Sequence, residues 1–136
     1  MMRRSWMRAI MPAKLVFIDT SAWIEYLKKT AHPVAKQIEF ALFLNTAATC
    51  QLVLAELIQG ARSEKETALI IDLASVAKIL KEGESTWQQA GFLANKLKKQ
   101  GKTLSLIDCY LAILAKENKA VILTLDKHFS IIAEFL

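Results

Sequence analysis

The chain has 136 residues, of which 54% are hydrophobic and 23% are charged. This length fits one domain, and this composition is typical of a globular protein with a buried core rather than of a disordered chain. The longest apolar stretch, residues 38–58, is interrupted by charged and polar residues, which argues against a membrane-spanning helix. The net charge of +5 is concentrated at the N-terminus, so it does not by itself indicate nucleic-acid binding.

The first 14 residues contain no acid and four bases, namely Arg3, Arg4, Arg8 and Lys14. They show no periodicity, and we interpret residues 1–14 as a basic tail, mobile or a mis-assigned start, and residues 15–136 as the domain. The N-terminus contains no apolar run of signal-peptide length. Cys50 and Cys109 lie in apolar surroundings without a CxxC pair. We therefore expect a cytoplasmic protein with reduced core thiols.

Short apolar runs alternate with segments of helical periodicity along the chain. The runs that resemble strands are residues 15–18, 47–50, 77–80 and 120–125. The helical segments begin at or near residues 23, 33, 52, 63, 85, 105 and 128. This alternation predicts an α/β fold in which helices cover both faces of a mostly parallel sheet.

Several residues predict where helices begin and end. Pro33 is tolerated in a first helical turn, and Ser63 with Glu66 matches a capping box. Ser85 is expected to cap a helix that ends at Gly101. The apolar face expected for that helix consists of Trp87, Ala90, Ala94 and Leu97.

Four acids occupy positions that point to chemistry. Asp19 and Asp126 each directly follow a predicted strand, and parallel sheets bind ligands at the carboxyl ends of their strands. Glu56 and Asp108 are each the only charged residue in an otherwise apolar helical segment. Burying an unpaired carboxylate costs several kcal/mol, so these acids need a partner, a proton or a cation.

Each acid also has a structural interpretation. Asp19 and Asp126 could end strands or cap helices, and Glu56 could lie at an exposed helix edge. Asp108 stands in a capping-box pattern with Ser105, which would explain the acid without any chemistry.

Considered together, the four acids converge if the first and last strands are neighbours. Clustered carboxylates without matching bases repel one another unless a divalent metal neutralises them. The ligands are all oxygen and no Cys/His set has zinc spacing, so Mg²⁺ or Mn²⁺ is the expected cofactor. Such ions lower the pKa of a bound water and neutralise charge on a phosphate. We interpret His32 and His128 as surface residues.

Four motifs in order resemble one family: Ile-Asp19-Thr-Ser-Ala-Trp, Ala-Glu56-Leu-Ile-Gln-Gly, Leu-Ser-Leu-Ile-Asp108, and Leu-Thr124-Leu-Asp126-Lys-His-Phe. Over residues 15–136 the chain resembles PIN domains, and most of all the VapC toxins. The resemblance implies a three-layer α/β/α fold with a central, mostly parallel sheet of four to five strands.

The same resemblance implies a function. It implies an Mg²⁺- or Mn²⁺-dependent endoribonuclease, the toxin of a toxin–antitoxin pair, in which a metal-activated water hydrolyses RNA. Such proteins are usually dimeric and are inhibited by a small antitoxin. The family's acidic positions match Asp19, Glu56, Asp108 and Asp126, and the Thr or Ser that supports the last acid matches Thr124.

The chain departs from the family pattern at Cys50-Gln51, where Ser or Thr often begins the Glu-bearing helix. The alternative function is a catalytically inactive PIN-fold binding module that acts through protein partners. Receiver-type and dehalogenase-type sites lack their second acid here, and no Gly-rich nucleotide loop is present. For the expected homodimer, the predicted surface is residues 38–44 with residues 64–73.

Overall fold

The structure is a computed structural model that describes residues 14–136, so the basic tail predicted for residues 1–14 lies almost entirely outside the described residues. The described chain contains four strands, Val16–Ile18 (β1), Ala47–Thr49 (β2), Lys78–Ile79 (β3) and Val121–Leu123 (β4). All pairings are parallel, and the strand order is β3-β2-β1-β4. The predicted α/β fold with a parallel sheet is therefore confirmed, with four strands in this part of the chain.

Seven helices occur among the described residues. They are Thr20–Leu27 (α1), Pro33–Phe43 (α2), Gln51–Gln59 (α3), Glu64–Val76 (α4), Thr86–Lys99 (α5), Leu106–Glu117 (α6) and His128–Ala133 (α7). Helix α1 packs against α2 and α3, and α3 packs against α4, whereas α6 packs against α5 and α7. The helices form the outer layers of a three-layer α/β/α arrangement, as the resemblance implied.

The core lies around the two central strands. Phe17 and Ile18 of β1 and Ala48 of β2 have no exposed surface, because β1 and β2 have a strand on each side and helices above and below. Strands buried on both faces are expected to be apolar throughout rather than alternating. Within residues 14–136, no helix is both long enough and apolar enough to cross a membrane.

Most predicted helix ends are confirmed. Pro33 is the first residue of α2, and Ser63 accepts a hydrogen bond from the Glu66 amide at 3.1 Å. Gly101 follows α5 with φ of +78°, a left-handed conformation that favours glycine. The carboxylate of Glu66 departs from the reciprocal capping box, since it accepts from the Arg62 amide at 2.7 Å rather than from Ser63.

Two details of α5 differ from the prediction. Ser85 occupies the N-cap position of α5 as predicted, but its side chain makes no capping hydrogen bond. Its neighbour Thr86 is fully buried instead, accepts from the Gly83 amide at 2.7 Å and donates to Glu117 at 2.6 Å. Trp87 is 42% exposed rather than part of the core, and it stacks on the ring of Tyr110 at a centroid distance of 3.9 Å.

Candidate metal-binding and catalytic site

The sheet brings the first and last strands together, which is the condition that the sequence left open. Ile18 of β1 pairs with Leu123 of β4, so the residues that follow them leave the sheet at the same edge. The Asp19 amide donates to the Leu123 carbonyl at 3.2 Å, and Thr124 comes next on the other strand. Asp19 and Thr124 therefore lie side by side at the carboxyl end of the sheet.

Asp19 is a buried carboxylate with three hydrogen-bond donors. Only 5% of its surface is exposed. Its Oδ1 accepts from the Ser21 hydroxyl at 2.7 Å and from the Ala22 amide at 3.1 Å, and its Oδ2 accepts from the Thr124 hydroxyl at 2.6 Å. Asp19 thus caps α1, as its structural interpretation proposed, and Oδ2 keeps a second lone pair for another ligand.

Thr124 connects Asp19 to Asp126. While its hydroxyl donates to Asp19, the same oxygen accepts from the Asp126 amide at 2.9 Å. The hydroxyl of Ser21 lies 3.5 Å from it and accepts from the Leu125 amide at 3.1 Å. These contacts hold the turn after β4 against the start of α1, and they fix the position from which the Asp126 side chain projects.

Asp108 and Asp126 approach one another around His128. The Nδ1 atom of His128 lies 3.5 Å from Oδ2 of Asp108 and 3.3 Å from Oδ1 of Asp126. One ligand atom from each of the three residues lies within 4.8 Å of the other two. Both side chains of the acids are more buried than the imidazole, with 18% and 35% exposed against 55%.

The capping box explains the hydrogen bond of the Asp108 backbone amide, but it does not explain where the Asp108 carboxylate lies. Its amide donates to the Ser105 hydroxyl at 3.0 Å, so Ser105 is the cap of α6. The carboxylate of Asp108 faces His128. The capping motif and the side-chain position are therefore separate features of the same residue.

Glu56 joins the site from a third direction. It projects from α3, is half-buried, and its Oε1 accepts from the Thr20 hydroxyl at 2.8 Å. Because Thr20 directly follows Asp19, Glu56 is linked to the site through a hydroxyl and one peptide unit. Neither Glu56 nor Asp19 belongs to the compact group formed by Asp108, Asp126 and His128.

We call the four acids and their hydroxyl donors the carboxylate site: Asp19, Glu56, Asp108, Asp126, Thr20, Ser21 and Thr124. The sequence analysis named all four acids and Thr124 but missed the hydroxyls of Thr20 and Ser21 and the position of His128. The signals were present, since two hydroxyl residues directly follow Asp19 and His128 stands two residues after Asp126.

The two cysteines lie close to this site without a chemical environment that activates them. Burial raises the pKa of the Cys50 thiol, although the Val53 and Leu52 amides oppose this. Burial, followed by the charge of Asp108, raises the pKa of the Cys109 thiol. Both thiols are therefore protonated at neutral pH, which is the opposite of what a nucleophile or a thiolate ligand needs.

The donor chemistry fits a hard divalent ion. Asp108 and Asp126 face each other across a few ångströms, and no Lys or Arg forms an ion pair with either of them among the described residues. Adjacent carboxylates repel one another in the absence of a cation, and oxygen-rich sites suit Mg²⁺ and Mn²⁺. Asp108 and Asp126 are the residues that could hold such an ion together, and Asp19 follows β1 at the same edge of the sheet.

Known proteins resemble this chain over nearly its whole length. VapC ribonuclease Mb1587 of Mycobacterium bovis is 28% identical over 123 residues, which cover 88% of this chain and 92% of that protein. Ribonuclease VapC11 of Mycobacterium tuberculosis matches with the same values. The structure of VapBC-1 from nontypeable Haemophilus influenzae has a TM-score of 0.70 at 25% identity, covering 90% of this chain and 94% of that one. Residues 16–135 match the PIN domain family, and the chain belongs to that family.

Proposed function

We propose that this protein is a divalent-metal-dependent endoribonuclease that acts as the toxin of a toxin–antitoxin pair. One observation carries the proposal: at the carboxyl edge of β1 and β4, Asp108 and Asp126 approach one another around His128, and Asp19 is linked to the Asp126 amide through the Thr124 hydroxyl. The names of the relatives, VapC ribonucleases, agree with it. When bound, Mg²⁺ or Mn²⁺ supplies charge neutralisation at a phosphate and makes a water more acidic.

The residues of the chain have distinct tasks in this mechanism. Asp108 and Asp126 would hold the cation, and Asp19, whose Oδ2 accepts from Thr124, would be the further carboxylate available to it. Thr124 and Ser21 orient Asp19, because their hydroxyls donate to both of its oxygens. Glu56, held by Thr20, lies at the rim of the site and is the remaining carboxylate able to accept a proton from the attacking water.

RNA cleavage by the purified chain tests the proposal. We expect labelled RNA to be cut internally in Mg²⁺ or Mn²⁺ and to stay intact in EDTA. Asp126→Asn removes a charge that binds the cation, so cleavage falls by at least about a hundredfold, equivalent to roughly 2.7 kcal/mol. Asp72→Asn is the matched control, because Asp72 is an exposed acid on α4 outside the site.

The same experiment distinguishes the proposed ribonuclease from the alternative, a catalytically inactive binding module. An inactive binding module would leave RNA intact with any cation, and Asp126→Asn would change nothing. Cleavage that persists in EDTA would contradict the metal-dependent mechanism while leaving the ribonuclease activity in place.

The proposed antitoxin has a suitable groove next to the carboxylate site. A cavity of about 330 Å³ lies between α1, α3 and α4, and its lining combines apolar side chains such as Ile24 and Leu69 with charged ones such as Arg62. Glu56 contributes to the lining and also accepts the Thr20 hydrogen bond, so an occupant of the groove reaches the rim of the site. We expect Leu69→Glu to abolish binding of the protein encoded beside this chain, with cleavage of RNA unchanged.

The proposed homodimer is supported by exposed aromatic side chains on α2. Phe40 is 63% exposed and Phe43 is 81% exposed, and both lie in the predicted dimer surface. Removing two such rings from water is favourable by roughly 25 cal/mol per Å² of buried apolar area. Sedimentation is expected to show a dimer at micromolar concentration for the wild type and a monomer for Phe43→Glu.

A further inference from the structure

His128 places a ring nitrogen beside both carboxylates that are positioned to bind the cation. Nδ1 lies 3.3 Å from Asp126 Oδ1 and 3.5 Å from Asp108 Oδ2. Both separations exceed the roughly 2.7–2.9 Å typical of a charge-assisted N–H···O bond. The ring is therefore within ion-pair distance of both carboxylates without a short hydrogen bond to either.

These separations fit ligation of a shared ion better. Two ligand atoms bonded at about 2.1 Å in adjacent octahedral positions lie roughly 3.0 Å apart, only a few tenths of an ångström closer than the nitrogen and oxygen atoms here. The two oxygens lie on different elements, α6 and the turn after β4, yet both approach the same nitrogen. All three ligand atoms lie within 4.8 Å of one another.

The fold also fixes where this ring can be. The His128 amide donates to Asp126 Oδ1 at 2.9 Å, which orients the carboxylate and begins α7. The next residue, Phe129, is 6% exposed and anchors α7 in the core. Because the imidazole itself is 55% exposed, it can make the small rotation that ligation needs without disturbing packed side chains.

We propose that Nδ1 of His128 is a third protein ligand to the divalent ion bound by Asp108 and Asp126. The proposal rests on the proposed metal-dependent function and specifies its cation. Imidazole nitrogen binds first-row transition ions better than it binds Mg²⁺, whereas carboxylate oxygen suits both. The donor set is therefore mixed oxygen and nitrogen rather than all oxygen, and it favours Mn²⁺ over Mg²⁺.

Pulsed electron paramagnetic resonance on the tag-free full-length chain with Mn²⁺ tests the ligand directly. A coordinated imidazole gives ¹⁴N modulation, and the chain has only two histidines, so the source is His128 or His32. His32 is a matched control, because its Nδ1 accepts from the Val34 amide at 3.0 Å as the cap of α2. His32→Asn keeps that capping ability, and we expect it to retain the ¹⁴N signal.

His128→Ala is expected to lose the ¹⁴N signal, weaken Mn²⁺ binding by about tenfold and leave Mg²⁺ binding within about twofold. Labelling histidine with ¹⁵N in the unsubstituted chain gives the same answer without relying on that variant to fold. Mn²⁺ bound with no nitrogen coupling overturns this inference and leaves the proposed function standing. Failure of Mn²⁺ to bind, or Mn²⁺ binding that is unchanged in Asp126→Asn, also overturns this inference, and failure of both Mn²⁺ and Mg²⁺ to bind overturns the proposed function with it.

Discussion

The carboxylate site and a second polar region, on the other side of α6, use similar groups to different ends. We call the second region the α5–α6 cluster, which consists of Glu82, Thr86, Tyr110 and Glu117. In both regions a hydroxyl donates to a carboxylate: Tyr110 donates to Glu82 at 3.0 Å, much as Thr124 donates to Asp19 at 2.6 Å. Helix α6 serves both regions, since Asp108 and Tyr110 are two residues apart.

The difference lies in what the carboxylates face. In the α5–α6 cluster each acid has its own hydroxyl, and neither acid belongs to a group of ligand atoms close enough to bind a metal among the described residues. In the carboxylate site Asp108 and Asp126 share one space around His128. Hydroxyl donors therefore stabilise acids in either setting, and it is the approach of acid to acid that indicates a cation site.

The largest difference between the carboxylate site and the α5–α6 cluster is expected when one acid in each is replaced by its amide and RNA cleavage is measured. Asp108→Asn is expected to lose metal-dependent RNA cleavage by at least about a hundredfold, roughly 2.7 kcal/mol, because the amide lacks the charge that binds the cation. Its folding in EDTA should be nearly unchanged, since Ser105 caps α6 through the residue 108 backbone amide. Glu82→Gln should cleave at the wild-type rate. Equal activity of the two variants would show that Asp108 is only structural.

Metal ions should stabilise the fold through one region only. At a concentration of about 100 times the dissociation constant, a bound ion adds roughly 2.7 kcal/mol to the free energy of unfolding. We expect thermal unfolding of the wild type and of Glu82→Gln to shift upward when Mn²⁺ is added, and Asp108→Asn to lose most of this shift. A shift of the same size in all three proteins would place the ion elsewhere.

The two regions can also be compared by substituting one threonine in each while every acid is kept. Thr86→Val should destabilise the fold by about 1 kcal/mol and leave cleavage unchanged, because its partners, the Gly83 amide and the Glu117 carboxylate, are exposed to water. Thr124→Val should cost about 2 kcal/mol and also slow cleavage by roughly tenfold, because the buried Asp19 carboxylate loses one of its donors. Chemical denaturation and cleavage rates measured on both variants decide whether stability and activity separate in this way.

The smallest effect is expected at high pH. Burial, and then the hydrogen bond to Glu82, raises the pKa of Tyr110 well above its usual range. A raised pKa in the folded state favours the neutral phenol. The stability that Tyr110 contributes is therefore complete below the pKa that this tyrosine has in the unfolded chain, and it is lost as the pH rises from there towards the folded-state pKa. In an absorbance titration of the folded chain, Tyr110 should stay neutral at pH 10, so Tyr110→Phe should not reduce the phenolate absorbance measured there.

Sequence reasoning succeeded where one local rule decides the outcome. Parallel strands buried on both faces are apolar throughout, so β1 was recognised, and acids that follow such strands were recognised with it. It failed where the partner is distant in sequence. Trp87 has the spacing of a core residue, but its exposed ring stacks on Tyr110 from α6. The side chain of Thr86, rather than that of Ser85, forms the hydrogen bonds before α5, because Glu117 and Gly83 lie beside it.

For the site, too, the features that depend on neighbouring residues were predictable and those that depend on tertiary packing were not. Position relative to a strand identified Asp19 and Asp126, and isolation in an apolar helix identified Glu56 and Asp108. The order of residues puts His128 two positions after Asp126, but it does not show that the ring also approaches Asp108 on α6. That placement depends on how α6 and α7 pack together.

Because β4 is at the edge of the sheet, the candidate site can open locally while the rest of the fold stays intact. Within residues 14–136, β4 has one neighbouring strand, and beyond it the Leu125 and Asp126 amides are held by the hydroxyls of Ser21 and Thr124. An opening confined to β4 and α7 would move Asp126 and His128 away from Asp108 while β1, β2 and β3 stayed paired. Amide hydrogen exchange at Leu125 and Asp126 would then report how often the protein is folded but has no site.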